Sequence, residues 1–234
     1  MLRLALPLAV ALVATPAGAL TLIDDFTTGP SSVFLDVSTS FTHSEGGSMV
    51  GGQRTTTLDV STASGGFAFL RIDGASGSHL SLDSGIDVVH TLTLAYGDPA
   101  MNPLGLDLSG ENQFAVRFYF SDLPLDVTAR VYTTSDAWAE GSGVLAPSLV
   151  PAVQNLLFSG FVAGGSDPAT FTFANVNEIV FTTHSALAAG ANDFRMLELV
   201  AVPEGETLAL VTAGLAGLAL AGRRRERYAR AVEV

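Results

Sequence analysis

Arg117, Tyr119, Arg130 and Tyr132 lie in two short apolar runs, Gln113 to Phe120 and Leu125 to Tyr132. Side chains of an extended chain alternate with period two. Phe114, Val116, Phe118 and Phe120 therefore share one face, and Arg117 and Tyr119 the other. The second run divides in the same way, with Val127, Ala129 and Val131 opposite Arg130 and Tyr132. A planar aromatic ring offers an apolar face to a pyranose ring, and a guanidinium offers donors to its hydroxyls. The chemistry these residue types suit is the binding of sugar. A tight connection through Ser121 to Pro124 predicts a hairpin that pairs Phe118 with Val127 and Phe114 with Val131, placing both arginines and both tyrosines on one sheet face. Trp138, the only tryptophan, follows in a Gly- and Ser-rich stretch read as a loop and completes the platform.

Catalytic signatures are absent. The chain has no Gly-x-Ser-x-Gly elbow, no His-Glu-x-x-His helix, no phosphate loop ending in Lys-Ser or Lys-Thr and no dinucleotide fingerprint. His43, His79, His90 and His184 are scattered singly and read as surface or turn residues. With no cysteine, disulfides and thiolate metal sites are excluded. A glycosidase needs only two carboxyl groups at the right separation, which is a three-dimensional quantity. A polysaccharide hydrolase or lyase therefore stands as the alternative to a non-catalytic binding or surface protein.

The elements that must position these residues are strands. β-like runs fall at residues 22–26, 33–37, 54–60, 67–73, 86–96, 113–120, 125–134, 171–173, 178–183 and 194–202, separated by Gly-Gly pairs and Asp98-Pro99. Helical periodicity is confined to residues 149–158, read as a short helix or an irregular crossover. The spacing predicts an all-β chain, an antiparallel β-sandwich of the jelly-roll kind. Between the terminal segments about 185 residues remain, enough for one domain with a real core. From Leu20 to Pro203 there are five arginines, no lysine and nineteen acidic residues, a net charge of −14. Such a surface repels nucleic acid and anionic lipid, and suits divalent cations or plain solubility.

The two ends differ from this body. Met1-Leu-Arg3, the apolar residues 4–13 and Ala17-Gly18-Ala19 form a secretory signal peptide over residues 1–19, cut after Ala19. Near the other end, Val202-Pro203-Glu204-Gly205 leads into sixteen uncharged residues, 207–222, followed by Arg223, Arg224, Arg225 and Arg227. The apolar run is marginally long enough to span a bilayer, and Ala213, Gly214, Gly217 and Ala221 give it a small-residue face. The arginines place its far end in the cytoplasm. This order resembles the PEP-CTERM sorting region, with Gly205 where that family has a second proline. The resemblance implies an exported protein of a Gram-negative cell, recognised by an exosortase, anchored in the inner membrane as a precursor and then released to the cell surface or extracellular matrix. Residues 20–201 are then the extracytoplasmic domain and 202–230 the sorting region, with an arginine-rich tail at 223–230.

A looser likeness concerns the domain itself. Leu22-Ile-Asp-Asp-Phe26, Gly51-Gly-Gln-Arg54 and Asp193-Phe-Arg-Met-Leu-Glu-Leu199 are laid out in a way similar to jelly-roll carbohydrate-binding modules. That resemblance implies exopolysaccharide as partner, no required cofactor, and a structural calcium ion shared by the matching positions Asp24, Asp25 and Asp193. Hard carboxylate oxygens are the ligands calcium takes.

Overall fold

A computed structural model of the chain describes residues 20–62, 66–73, 79–185 and 192–203. The expected signal peptide, the expected membrane span at residues 207–222 and the arginine tail lie outside the described residues. Among those described, no helix is long and apolar enough to cross a membrane.

Among the described residues there are fourteen strands: β1 (Thr21–Asp24), β2 (Ser31–Leu35), β3 (Thr39–Gly46), β4 (Gln53–Thr62), β5 (Ala68–Ile72), β6 (Leu80–Ser84), β7 (Val88–Gly97), β8 (Glu111–Ser121), β9 (Leu125–Thr134), β10 (Ala137–Leu145), β11 (Ala152–Leu157), β12 (Val162–Gly164), β13 (Glu178–His184) and β14 (Phe194–Pro203). They form two seven-stranded antiparallel sheets. Sheet A runs β11-β8-β14-β6-β5-β2, with β1 also on β14, and sheet B runs β12-β10-β9-β13-β7-β4-β3. The all-β sandwich expected from the alternation is present. Residues 149–158 form no α-helix: they supply β11, which pairs with β8. Residues 171–173 fall outside the strands, and β3, β6, β10 and β12 are strands that polar or Gly-rich composition concealed.

The predicted hairpin does not form. β8 belongs to sheet A, paired with β11 and β14, and β9 to sheet B, paired with β10 and β13. The turn between them spends its backbone groups elsewhere: Ser121 N–H bonds Ser148 O at 2.9 Å and Asp122 N–H bonds Asp193 O at 3.1 Å. Phe114, Phe118, Val127 and Val131 are all buried, facing one another across the sandwich instead of side by side. Phe114 crosses the gap edge-on to Phe181 of sheet B, with ring centroids 5.1 Å apart.

Charged and titratable side chains also sit inside this apolar layer. Arg54 of β4 is fully buried, as is Asp24 of β1 at 1% exposure, and their ion pair joins the sheets. His90 of β7 is also fully buried, which corrects its reading as a surface or turn residue. It lies against Phe194, and neither ring nitrogen has a hydrogen-bond partner. Burial pushes its pKa down to about 4, opposed in part by the neighbouring Asn192 backbone. The unfolded chain, with histidine near 6.5, takes the proton first as pH falls. His90's contribution is therefore complete above pH 6.5 and is lost between pH 6.5 and 4, by about 3 kcal/mol in all. Urea titrations across this window check the expectation. The wild-type chain should lose stability from pH 6.5 to 5, and His90→Leu should lose measurably less. Equal slopes for the two proteins would refute it.

Candidate functional site

Splitting β8 from β9 divides the expected platform between opposite outer faces of the sandwich. Arg117 and Tyr119 stand on sheet A. Arg117 pairs with Glu198 of β14, and Tyr119 is 51% exposed. Arg130 and Tyr132 stand on sheet B, where Trp138 joins them. Trp138 belongs to β10, not to a loop, and lies directly opposite Tyr132. A register shift between Ala137 and Trp138 sets this pairing, the kind of irregularity that re-aims a side chain.

On sheet B the polar side chains lock together. Arg130 Nε donates to Glu140 Oε2 at 2.7 Å, its Nη2 lies 2.6 Å from the same oxygen, and its Nη1 donates to the Tyr132 hydroxyl at 3.4 Å. Tyr132 and Glu140 thereby hold the guanidinium in its charged form. Its carbon sits 4.3 Å from the centroid of the Trp138 ring, a cation–π arrangement. The ring's outer edge overlies Gly164 of β12, where an added Cβ would come within 2.3 Å of it. Any larger residue there would displace the indole.

Two further acids complete the site, and sequence reading missed both. Glu140 faces Arg130 across the β9–β10 pair. Glu178 opens β13 and lies opposite Tyr132 on its other side, so that Glu178, Tyr132 and Trp138 form one row over three strands. Partial burial pushes the Glu178 carboxyl up to about 7, and the charge of Asp98 adds to the shift. Asp98 itself follows the last residue of β7 and accepts from the amides of Ala100 and Met101 at 2.7 and 3.1 Å. The only sequence signal for these acids was their alternation with buried neighbours, Ala139 and Ile179. The result is a partly exposed row with an aromatic rim, fixed donors and one carboxyl poised between its two protonation states near neutrality.

The calcium set does not assemble. Asp24 Oδ2 is taken by Arg54 at 2.6 Å and by the Tyr96 hydroxyl at 2.8 Å, while its Oδ1 accepts the Phe26 amide at 2.8 Å. Asp25 accepts from Thr27, through its amide at 3.0 Å and its hydroxyl at 2.5 Å. Asp193 accepts the Ser84 amide at 2.9 Å. Asp24 pairs with Leu199, and six residues of extended chain put Asp193 about 20 Å from it. The three carboxylates do not fit a shared ion, and among the described residues no group of three or more His, Asp or Glu is placed to hold a metal. Val202 and Pro203 of the expected sorting motif end β14, with Val202 opposite Gln113 and Pro203 opposite Glu111. Glu204, Gly205, Arg223, Arg224 and Arg225 lie outside the described residues.

The fold is thus a two-sheet antiparallel sandwich with a polar, aromatic row on one outer face. No family model and no curated protein matches the chain. Among solved structures it is similar to the family 11 carbohydrate-binding module of the cellulosomal cellulase Lic26A-Cel5E of Clostridium thermocellum, at 12% identity and a TM-score of 0.41 over 80% of this chain and 96% of that one. A solution structure of CtCBM11 matches at 14% identity and a TM-score of 0.46, over 81% and 98%. TmCBM61, solved with β-1,4-galactotriose, matches at 11% identity and a TM-score of 0.31, over 63% and 82%. At such identities the ligand has to be read from this chain's own side chains.

Proposed function

We propose that residues 20–203 form a non-catalytic polysaccharide-binding domain whose ligand lies on the outer face of sheet B. One observation carries the reading: Glu178, Tyr132 and Trp138 are adjacent on three strands, with Arg130 and Glu140 in the next row. Aromatic surface beside fixed donors and acceptors is what sugar rings and their hydroxyls require. The expected partner is exopolysaccharide at the cell surface or in the matrix. The terminal segments support export through a signal peptide and sorting by an exosortase at the variant Pro203-Glu204-Gly205 motif. Intact mass of the extracellular form tests that route: it should lack residues 1–19 and everything beyond about Gly205, and a species retaining Arg223 to Arg225 would overturn it.

A glycan array with the purified chain tests binding, followed by titration of the best ligand. Tyr132→Ala and Trp138→Ala should each weaken binding about tenfold or more, equivalent to ~1.4 kcal/mol. Tyr119→Ala, on the other sheet, should bind as wild type and stay folded, since exposed changes cost within about 0.5 kcal/mol. Loss in the Tyr119 variant alone would move the site to sheet A. A second reading is kept by Glu178, because a carboxyl near pKa 7 is the state a general acid needs. Release of oligosaccharides from polysaccharide by wild type and not by Glu178→Gln would favour a hydrolase.

A further inference from the structure

The outer face of sheet B continues beyond the aromatic row. Two residues along each strand from Glu178, Tyr132 and Trp138 come Val180, Arg130 and Glu140, and two further come Thr182, Thr128 and Ser142. The strand pairings extend this third row without a break: Thr42 opposite Thr57, Thr57 opposite Thr93, Thr93 opposite Thr182, Thr182 opposite Thr128, and Thr128 opposite Ser142. Six hydroxyl side chains therefore cross six strands side by side. At ~4.8 Å per strand the row is about 24 Å long.

Strand propensity explains part of this, because threonine is β-branched and suits a pleated surface. It does not explain the hydroxyls, since valine suits the same positions. Their bonding separates the row into two parts. At its β3–β4 end Thr42 and Thr57 bond each other at 3.1 Å, and elsewhere on the face Ser44 bonds Thr55 at 2.8 Å and Thr91 bonds His184 at 2.9 Å. Thr93, Thr182 and Thr128, on the three central strands, have partly exposed side chains, and their hydroxyls bond no protein group among the described residues. A hydroxyl both donates and accepts, which matches the hydroxyls of a sugar and selects for no charge. The surrounding charge selects against anions. Arg130, the nearest cation in the adjoining row, is already engaged by Glu140, and the stretch from Leu20 to Pro203 carries a net charge of −14.

We infer that the ligand of sheet B is an extended, uncharged polysaccharide lying across the strands, held along its length by the hydroxyls of Thr93, Thr182 and Thr128. This rests on the sheet B binding reading and deepens it by naming the class of ligand. The row's length calls for several consecutive sugars, so affinity should rise with chain length until the row is filled.

The test uses the full-length chain in a non-glycosidic detergent, titrated with soluble β-1,3-1,4-glucan and galactan as neutral probes and polygalacturonate as the anionic one. A neutral probe should bind, polygalacturonate should not, and raising salt from 50 to 500 mM should change the affinity less than twofold. The triple substitution T93V/T128V/T182V keeps side-chain shape and should weaken binding at least tenfold while melting within a few degrees of wild type. If the triple variant binds normally but Tyr132→Ala does not, the threonine row is overturned and the site stands. Preferential, salt-sensitive binding of polygalacturonate overturns the neutral class. If no probe binds, or if the face pairs with a second copy of the chain in sedimentation, the inference falls together with the binding reading.

Discussion

Replacing Arg54 with methionine should destabilise the domain by about 3–5 kcal/mol, the cost of leaving buried charge without its partner. Arg54 is fully buried and spends its donors on two acids and two carbonyls: Asp24 at 2.6 Å, Glu45 at 2.7 and 2.9 Å, Gly29 O at 2.8 Å and Thr28 O at 3.4 Å. Without it Asp24, 1% exposed, keeps only the Tyr96 hydroxyl and the Phe26 amide, and Glu45, 8% exposed, keeps still less. For a domain of this size each kcal/mol moves the midpoint by roughly 2–4 °C, so the melt should fall by about 10 °C. Arg54→Lys retains charge but not the planar fork, and should fall between the two. Removing both charges, in Asp24→Asn with Arg54→Met, should recover part of the loss, and the double-mutant cycle isolates the pair. A single variant costing under about 1 kcal/mol would mean that water reaches the cluster. The cluster joins β1 to β3, β4 and β7, so its loss should loosen the N-terminal strand from sheet B.

Phe114→Ala should cost a similar amount, about 3–5 kcal/mol, for a different reason. Its ring is fully buried and meets Phe158 edge-on at 4.8 Å and Phe181 at 5.1 Å, the first following β11 and the second on β13 in the opposite sheet. Phe158 in turn stacks on Phe173 at 4.2 Å. Truncation opens a cavity that rings held by two sheets cannot collapse to fill. Phe114→Leu keeps most of the volume and should cost well under half as much. Chemical denaturation measures both, with the denaturant slope unchanged if only stability is affected. Near-equal effects of Ala and Leu would show that the aromatic cluster relaxes around the site.

Which side chains point inward was legible from period two alone. Of the residues assigned to a buried face, Phe114, Val116 and Phe118, and Val127, Ala129 and Val131, are buried, because alternation is a local property of an extended chain. Phe120 is only half-buried, where a register shift interrupts the β8–β14 pairing, and Ala115 of the opposite face is buried. Strand and turn spacing likewise pointed to a β-sandwich for the described residues, and composition to a chain without disulfides and with an acidic body. The partner of each strand was not determined. Residues 121–124 are short enough for a hairpin and equally able to arch from one sheet to the other, since both keep the apolar faces covered. The choice was made by pairings far away in the chain: β14 beside β8, β13 beside β9, and β11 closing the edge. That choice moved Arg117 and Tyr119 to one side of the molecule and left Arg130, Tyr132 and Trp138 on the other, together with Glu178, forty-six positions beyond Tyr132 in the sequence. In the same way Asp24 met Arg54 instead of Asp193, because β1 pairs with the far end of β14. The sequence thus determined the inward face of β9 and most of that of β8, whereas the site depended on which strands became neighbours, a decision that long-range packing of the whole sandwich makes and no local pattern encodes.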